Sequence, residues 1–278
     1  MLVLRVIAPV LETNCYVVAA GPGTPAQPQP ALVIDPGAGA REALREVFCE
    51  HHLSVHTVAL THGHADHLWD AIVLADAEPG GDAWPDAEPG AAADLRTDAA
   101  TPERPIYLGA PDRYRLADPA GALGPELAAL FTQLTEPYGR RHWAIERGTG
   151  FPAATLQGGG AEIVPGVSLR AVPAPGHTEG STVLLFSDEL HPASHIALPR
   201  GADAPELTPV LAFTGDVLFA GSIGRTDLPG GDEKEMTSTL RTLAHSLPPH
   251  TVVLPGHGPA STLATERVSN PHLRSALG

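Results

Sequence analysis

The apolar residues of the chain fall in short runs separated by glycine- and proline-rich punctuation, a pattern that predicts strands with a few helices between them. Residues 2–8, 14–20 and 31–35, rich in Val, Leu and Ile, read as three strands. The intervening 21–30, with four prolines and two glycines, reads as an exposed loop. Across 40–53 the period changes, and Leu44, Val47, Phe48 and His51 share one side at helical spacing. A fourth strand is expected at 55–60 and a helix at about 66–75. Further on, strands are expected at 106–108, 182–186, 210–213 and 251–254, a hairpin at 162–172 around Pro165-Gly166, and helices at 112–117, 126–134 and 233–247. Strands interleaved with helices suggest a layered α+β or α/β fold, in which a site sits at the carboxyl ends of strands.

The 55–60 strand runs into Thr61-His62-Gly63-His64-Ala65-Asp66-His67. Three imidazoles and a carboxylate within six positions bring polar atoms that a hydrophobic core cannot satisfy. Metal ligation explains them better than a histidine-rich surface loop. If 55–60 is a buried strand, His62 and His64 leave its end two residues apart and project the same way. Asp66 and His67 then open the next helix, whose N-terminus favours an anion. Two pairs of ligands would point at two adjacent positions.

Composition narrows the class. Lys plus Arg is 17 against 32 for Asp plus Glu, a formal charge of −15 that argues against nucleic-acid or broad phosphate binding. No window approaches the ~18 apolar residues of a membrane span, and the amino terminus lacks the parts of a signal peptide. Cys15 and Cys49 suggest buried small hydrophobes rather than a disulfide framework. These features predict a cytoplasmic protein of a single domain over 1–278, with insertions at about 76–104, 118–153 and 188–208. The first insertion contains the acidic pentapeptide Asp76-Ala77-Glu78-Pro79-Gly80, repeated at 86–90. Tyr138, Arg140, Arg141, His142, Trp143 and Arg147 form an aromatic and basic stretch that suits either a lid over an anionic substrate or a packing element. His191 and His195 lie in low-complexity surroundings and are expected at the surface.

Ligand-type residues recur after three later strands: His177 in Pro175-Gly176-His177, Asp216 in Thr214-Gly215-Asp216 and His257 in Pro255-Gly256-His257. Together with the HxHxDH cluster they resemble the metallo-β-lactamase superfamily along most of the chain. The resemblance implies an αββα sandwich, an α+β fold in which both halves supply metal ligands. It further implies that His62, His64 and His177 hold one divalent ion, Asp66, His67 and His257 a second, and that Asp216 bridges them. Imidazole and carboxylate suit zinc first, with iron or manganese as alternatives. Such a pair would acidify a shared water to hydroxide and polarise a carbonyl, with Asp66 and Asp216 as catalytic groups.

Within that superfamily, the segment from Gly215 to Asp232 and the end from Pro255 to Pro271 resemble compact bacterial relatives of glyoxalase II, which hydrolyse a hydroxyacyl thioester. The expected substrate is therefore a small-molecule thioester. Arg225 stands where those enzymes have a substrate-binding lysine, and Asp227 where they have a tyrosine. A guanidinium there suits a substrate carboxylate, or a salt bridge with Asp227 or Asp232. With 21 residues after His257, the helical domain that grips glutathione in longer glyoxalases is not expected here. A second resemblance, to persulfide dioxygenases, would place one iron on His62, His177 and Asp216. A β-lactamase-type amide hydrolase and a non-catalytic metal protein are the remaining readings. Thr178 and Ser181 are expected to support the His177 turn rather than to react.

Overall fold

The structure is a computed structural model that describes residues 1–76, 104–139, 141, 143–196 and 209–278. Its first half contains β1 (Leu2–Ile7), β2 (Asn14–Ala19), β3 (Gln29–Ile34), α1 (Arg41–His51), β4 (Leu53–Ala59), α2 (Ala65–Leu68), α3 (Ala71–Asp76), β5 (Ile106–Leu108), α4 (Pro125–Thr135) and β6 (Gly148–Gly150). The second half contains β7 (Ala161–Val164), β8 (Val167–Pro173), β9 (Thr182–Ser187), β10 (Val210–Gly215), α5 (Glu233–Ser246), β11 (Val252–Pro255), β12 (Ser261–Thr262), α6 (Leu263–Ser269) and α7 (Pro271–Leu277). Two six-stranded sheets result, ordered β1-β2-β3-β4-β5-β6 and β12-β11-β10-β9-β8-β7.

The layering follows from strands that are apolar on both faces, which must be covered twice. Side chains alternate across the pleat, so Val3, Tyr16, Val18, Leu32 and Ile34 meet Leu169, Leu184, Phe186, Phe213 and Leu254 between the sheets. Their neighbours Leu2, Leu4, Val17 and Val33 point the other way and pack on Leu44 and Phe48 of α1 and Leu74 of α3. On the far side, Val183, Ala212 and Val253 pack under Met236, Leu240 and Leu243 of α5 and Leu273 of α7. The order helix, sheet, sheet, helix is the expected αββα sandwich.

In both sheets the parallel pairs bring strand ends to one edge. β3, β4, β5 and β6 run parallel in sequence, as do β10 and β11. The loops after β4, β10 and β11 therefore open on the same side of the sandwich. No helix among the described residues is long and apolar enough to cross a membrane.

Several local expectations need correction. The single helix expected at 66–75 is broken into α2 and α3, because the Asp70 N–H donates to the Pro36 carbonyl at 2.9 Å instead of continuing the helix. The α1 helix stops at His52, which adopts φ +51, so β4 begins at Leu53 rather than at Val55. β3 begins at Gln29, inside the expected loop, where Gln29 and Pro30 pair with Leu53 and Ser54. Residues 110–117 are helical but wound as a 3₁₀-helix. Cys15 is buried as expected, whereas Cys49 is exposed because it falls on the solvent side of α1, opposite Leu44 and Phe48.

The 118–153 stretch carries α4 and β6, and Phe151 enters the core between the sheets. Within it Arg141 donates to Asp70 at 2.8 Å, Arg147 pairs with Asp76, and Trp143 packs on the first core layer. That places this aromatic and basic stretch in packing; Arg140 and His142 lie outside the described residues. So do the acidic repeat, apart from Asp76, and much of the expected insertions at 76–104 and 188–208. His195 is exposed, as expected, and its backbone bridges to Leu4 at the edge of β1.

Candidate metal centre

The loop after β4 is anchored before it reaches its first histidine. Asp35, just past β3, accepts from the Thr61 N–H at 2.7 Å through one carboxylate oxygen and from the Thr61 hydroxyl at 2.6 Å through the other. Because the Thr61 hydroxyl is committed to Asp35, its oxygen accepts from His62 Nδ1–H at 3.1 Å. The same logic sets three more rings. His67 Nδ1 lies 3.0 Å from Asp35 Oδ2, and the Nδ1 atoms of His177 and His257 donate to the carbonyls of Arg225 at 2.7 Å and Leu11 at 3.0 Å. With Nδ1 so engaged, each of these four imidazoles turns Nε2 inward, free to ligate once it carries no proton.

Those nitrogens converge. His64 brings Nδ1 to 3.1 Å from His62 Nε2 and 2.8 Å from His177 Nε2. His67 Nε2 lies 3.2 Å from His257 Nε2. The ligand atoms of His62, His64 and His177 lie within 4.8 Å of one another, and so do those of His62, His67 and Asp216 and those of Asp66, His67 and His257. Asp216 sits between the groups: its Oδ1 is 3.3 Å from His67 Nε2, and its Oδ2 is 3.6 Å from His177 Nε2 and 3.7 Å from His257 Nε2. Asp66 Oδ2 is 3.3 Å from His257 Nε2. All seven residues expected from the motif are therefore brought to one place.

The residues fit a divalent cation. Lone pairs aimed at one another across about 3 Å repel unless a cation or shared proton lies between them, and Asp216 Oδ1 is buried with no hydrogen-bond donor. Electrostatics divide the groups. Burial, then the neighbouring imidazoles, hold His62 far below the ordinary histidine value, while burial and His177 hold His64 at about 3. Burial opposes ionisation of Asp66 and Asp216, but His67 outweighs it and keeps both low, Asp66 at about 2. His67 is lifted well above the ordinary value, its burial overcome by Asp216, Asp66 and Asp35, and His257 is lifted by Asp66 and Asp216 in the same way. Neutral imidazoles and ionised carboxylates are the forms that bind metal. The His257 side chain is 27% exposed, whereas His62, His64 and His67 are buried.

The profile of the metallo-beta-lactamase superfamily matches residues 8–189. The chain belongs to that superfamily. It is 33% identical over 276 residues to an uncharacterised protein of Mycobacterium tuberculosis, covering 98% of each. It is 29% identical to the hydroxyacylglutathione hydrolase GloC of Haemophilus influenzae, covering 88% of each. Two solved structures superpose with a TM-score of 0.61 at 26% identity: the B3 metallo-beta-lactamase BLEG-1, with 98% of this chain and 99% of that one covered, and TTHA1623 in a di-iron-bound form, with 96% and 98% covered. These likenesses span several branches of the superfamily, with none dominant, and the site is compatible with mono- or binuclear metal catalysis.

Sequence reasoning missed two acids at this superfamily's site. Asp35 orients His67 directly and His62 through Thr61, and the local signal was an acid closing an apolar strand before Pro36-Gly37. Asp112 lies in the 3₁₀-helix and is fully buried. Nothing in its neighbourhood of the sequence marks it. Thr178 and Ser181 make the expected turn, with Ser181 Oγ accepting from the Thr178 N–H at 3.0 Å. Arg225 forms a two-pronged pair with Asp227 at 2.7 and 2.8 Å, both groups exposed, whereas Asp232 caps α5.

Proposed function

We propose that this chain is a binuclear metal-dependent hydrolase that cleaves a small hydroxyacyl thioester in the cytoplasm. The observation that carries the reading is the position of Asp216 between two complete ligand groups, His62/His64/His177 and Asp66/His67/His257. These would hold one ion each, with Asp216 shared, and zinc suits the nitrogen-rich donor set. When bound, the pair supplies a hydroxide near neutral pH and a Lewis acid for the acyl oxygen. In the net reaction the C–S bond breaks, a C–O bond forms with water, and the thiol leaves with a proton. Likeness to the hydroxyacylglutathione hydrolase of Haemophilus influenzae supports the thioester, and unpaired Cys15 and Cys49 suit a reducing compartment.

The chain's own groups have separable tasks. Asp35, Thr61 and the carbonyls of Leu11 and Arg225 lock the ring tautomers so that four Nε2 atoms face inward. Asp66, low in pKa and 3.3 Å from the partly exposed His257, would orient the attacking water while ligating. Arg225 would anchor a substrate carboxylate by exchanging it for Asp227, a two-pronged acceptor of the same geometry. The test is hydrolysis of S-D-lactoylglutathione by protein loaded with zinc, manganese or iron. A kcat/KM of about 10⁴ M⁻¹s⁻¹ or more, abolished in Asp216→Ala, is expected. A single bound iron with no thioester turnover overturns the reading in favour of the persulfide dioxygenase. Arg225→Ala is expected to raise KM at little cost in kcat, and an unchanged KM removes its anchoring role.

A further inference from the structure

One fully buried carboxylate joins the two loops that supply His62, His64 and His177. Asp112 Oδ2 accepts from the Gly63 N–H at 2.7 Å and from the Thr178 hydroxyl at 2.7 Å. Its Oδ1 accepts from the Gly180 N–H at 2.8 Å and lies 3.3 Å from Arg115 Nε. Gly63 stands between His62 and His64, and Thr178 follows His177, so both loops end on the same two oxygen atoms. The approach requires glycine, since a Cβ on Gly63 would come within 3.0 Å of Asp112 Cβ and one on Gly180 within 2.6 Å of Asp112 Cγ. Arg115 extends the arrangement to a third loop, donating Nη2 to the Pro229 carbonyl at 2.8 Å and to Glu179 at 2.6 Å. That third loop also carries Arg225, whose carbonyl orients His177.

We propose that Asp112, braced by Arg115, is a positioning residue that sets the separation of the His62/His64 loop from the His177 loop, and so the affinity of one metal position and not the other. Among the described residues the direct backbone bond between the two loops is Thr182 N–H to the Thr61 carbonyl at 2.8 Å. Asp112 touches neither ligand atoms nor reacting atoms. Its hydrogen bonds instead fix the backbone on which three imidazoles are mounted, while Asp66, His67 and His257 hang from α2 and the loop after β11, to which Asp112 makes no hydrogen bond among the described residues. The inference rests on the ligand assignment made above.

The test is zinc affinity, measured by competition with a chromophoric chelator on the full chain. Unsubstituted protein is expected to bind two zinc equivalents; His257→Ala isolates the first position and His177→Ala the second. Asp112→Asn keeps the shape but turns an N–H₂ toward donors that need an acceptor. It is expected to weaken zinc binding in the His257→Ala background about 10–100-fold, as loss of an outer hydrogen-bond partner does, and to leave binding in the His177→Ala background unchanged. Thr178→Val, which removes one of the four contacts without changing volume, is expected to show the same selectivity at smaller size. It decides the matter alone if Asp112→Asn does not fold. Equal weakening of both positions, or none, overturns the inference while leaving the ligand assignment intact. Failure of the unsubstituted protein to bind two equivalents overturns both.

Discussion

Asp35 offers a prediction in which backbone and hydrogen-bond contributions separate. The residue is 2% exposed, sits at φ +50, and accepts three hydrogen bonds, two from Thr61 and one from His67. In Asp35→Ala the Thr61 N–H and the His67 Nδ1–H lose their acceptor, at about 1–3 kcal/mol each for a buried donor. The Thr61 hydroxyl loses its acceptor as well, at a similar cost, because His62 Nδ1–H is itself a donor. Alanine also tolerates a positive φ poorly, at roughly 1–2 kcal/mol. Even at the low end of each range the sum is about 4 kcal/mol, or a fall in Tm of roughly 8–16 °C for a chain of this size. Asp35→Gly leaves the same donors bare but relieves the backbone, and is expected to be about 1 kcal/mol milder. Asp35→Asn retains an acceptor and the tolerance of positive φ, and is expected to be the mildest. Calorimetry of the metal-free variants checks the order. A loss below about 1 kcal/mol in Asp35→Ala, or Asp35→Gly as damaging as Asp35→Ala, would refute this account of how the loop is held.

Further expectations follow from the same geometry. Metal competes with protons for His67 and His257, which are lifted in pKa, but hardly for His62 and His64, the latter held at about 3. As pH falls through the raised values of these two groups, above the ordinary histidine range, metal is therefore expected to leave the Asp66/His67/His257 group first; equilibrium dialysis showing simultaneous loss, or the reverse order, contradicts this. Phe213, 1% exposed and edge-on to Tyr16 and Phe186 at 4.9 and 5.3 Å, lies between the sheets, so Phe213→Ala is expected to cost about 3–5 kcal/mol in urea unfolding; a cost under about 1 kcal/mol would mean that the sheets are not packed there. Cys15 is buried and its thiol is pushed up by burial, then by Asp35 and Asp70, whereas Cys49 is exposed. A thiol reagent is expected to titrate one cysteine in the native protein and two after denaturation; two in the native protein would place Cys15 at the surface.

The sequence alone determined which residues could ligate and which strands lead to them. Strand period, glycine and proline punctuation and the HxHxDH spacing are local, because a strand alternates every two residues and a tight turn needs its own residue types. His62, His64, Asp66 and His67 could therefore be read in one glance, and His177, Asp216 and His257 one strand end at a time. Short elements with little periodicity escaped: β6 has three residues, two of them glycine, and β12 has only two residues. The break at Asp70 also escaped, since it depends on Pro36 carbonyl 34 residues earlier offering a better partner than the helix.

What only the tertiary structure decided is how the ligands are held. Asp35 lies 32 residues from His67 and Asp112 lies 66 residues from Thr178, so no window of sequence pairs them. A buried carboxylate finds its donors through packing, because the cost of leaving it unpaired is incurred only once water has been excluded. The same holds for Arg225, which charge and position alone could assign either to a substrate or to Asp227, and which the fold sets against Asp227. Local chemistry wrote the ligand set; the αββα packing, by choosing which oxygen atoms face which N–H groups, decided the orientation of four of its five rings.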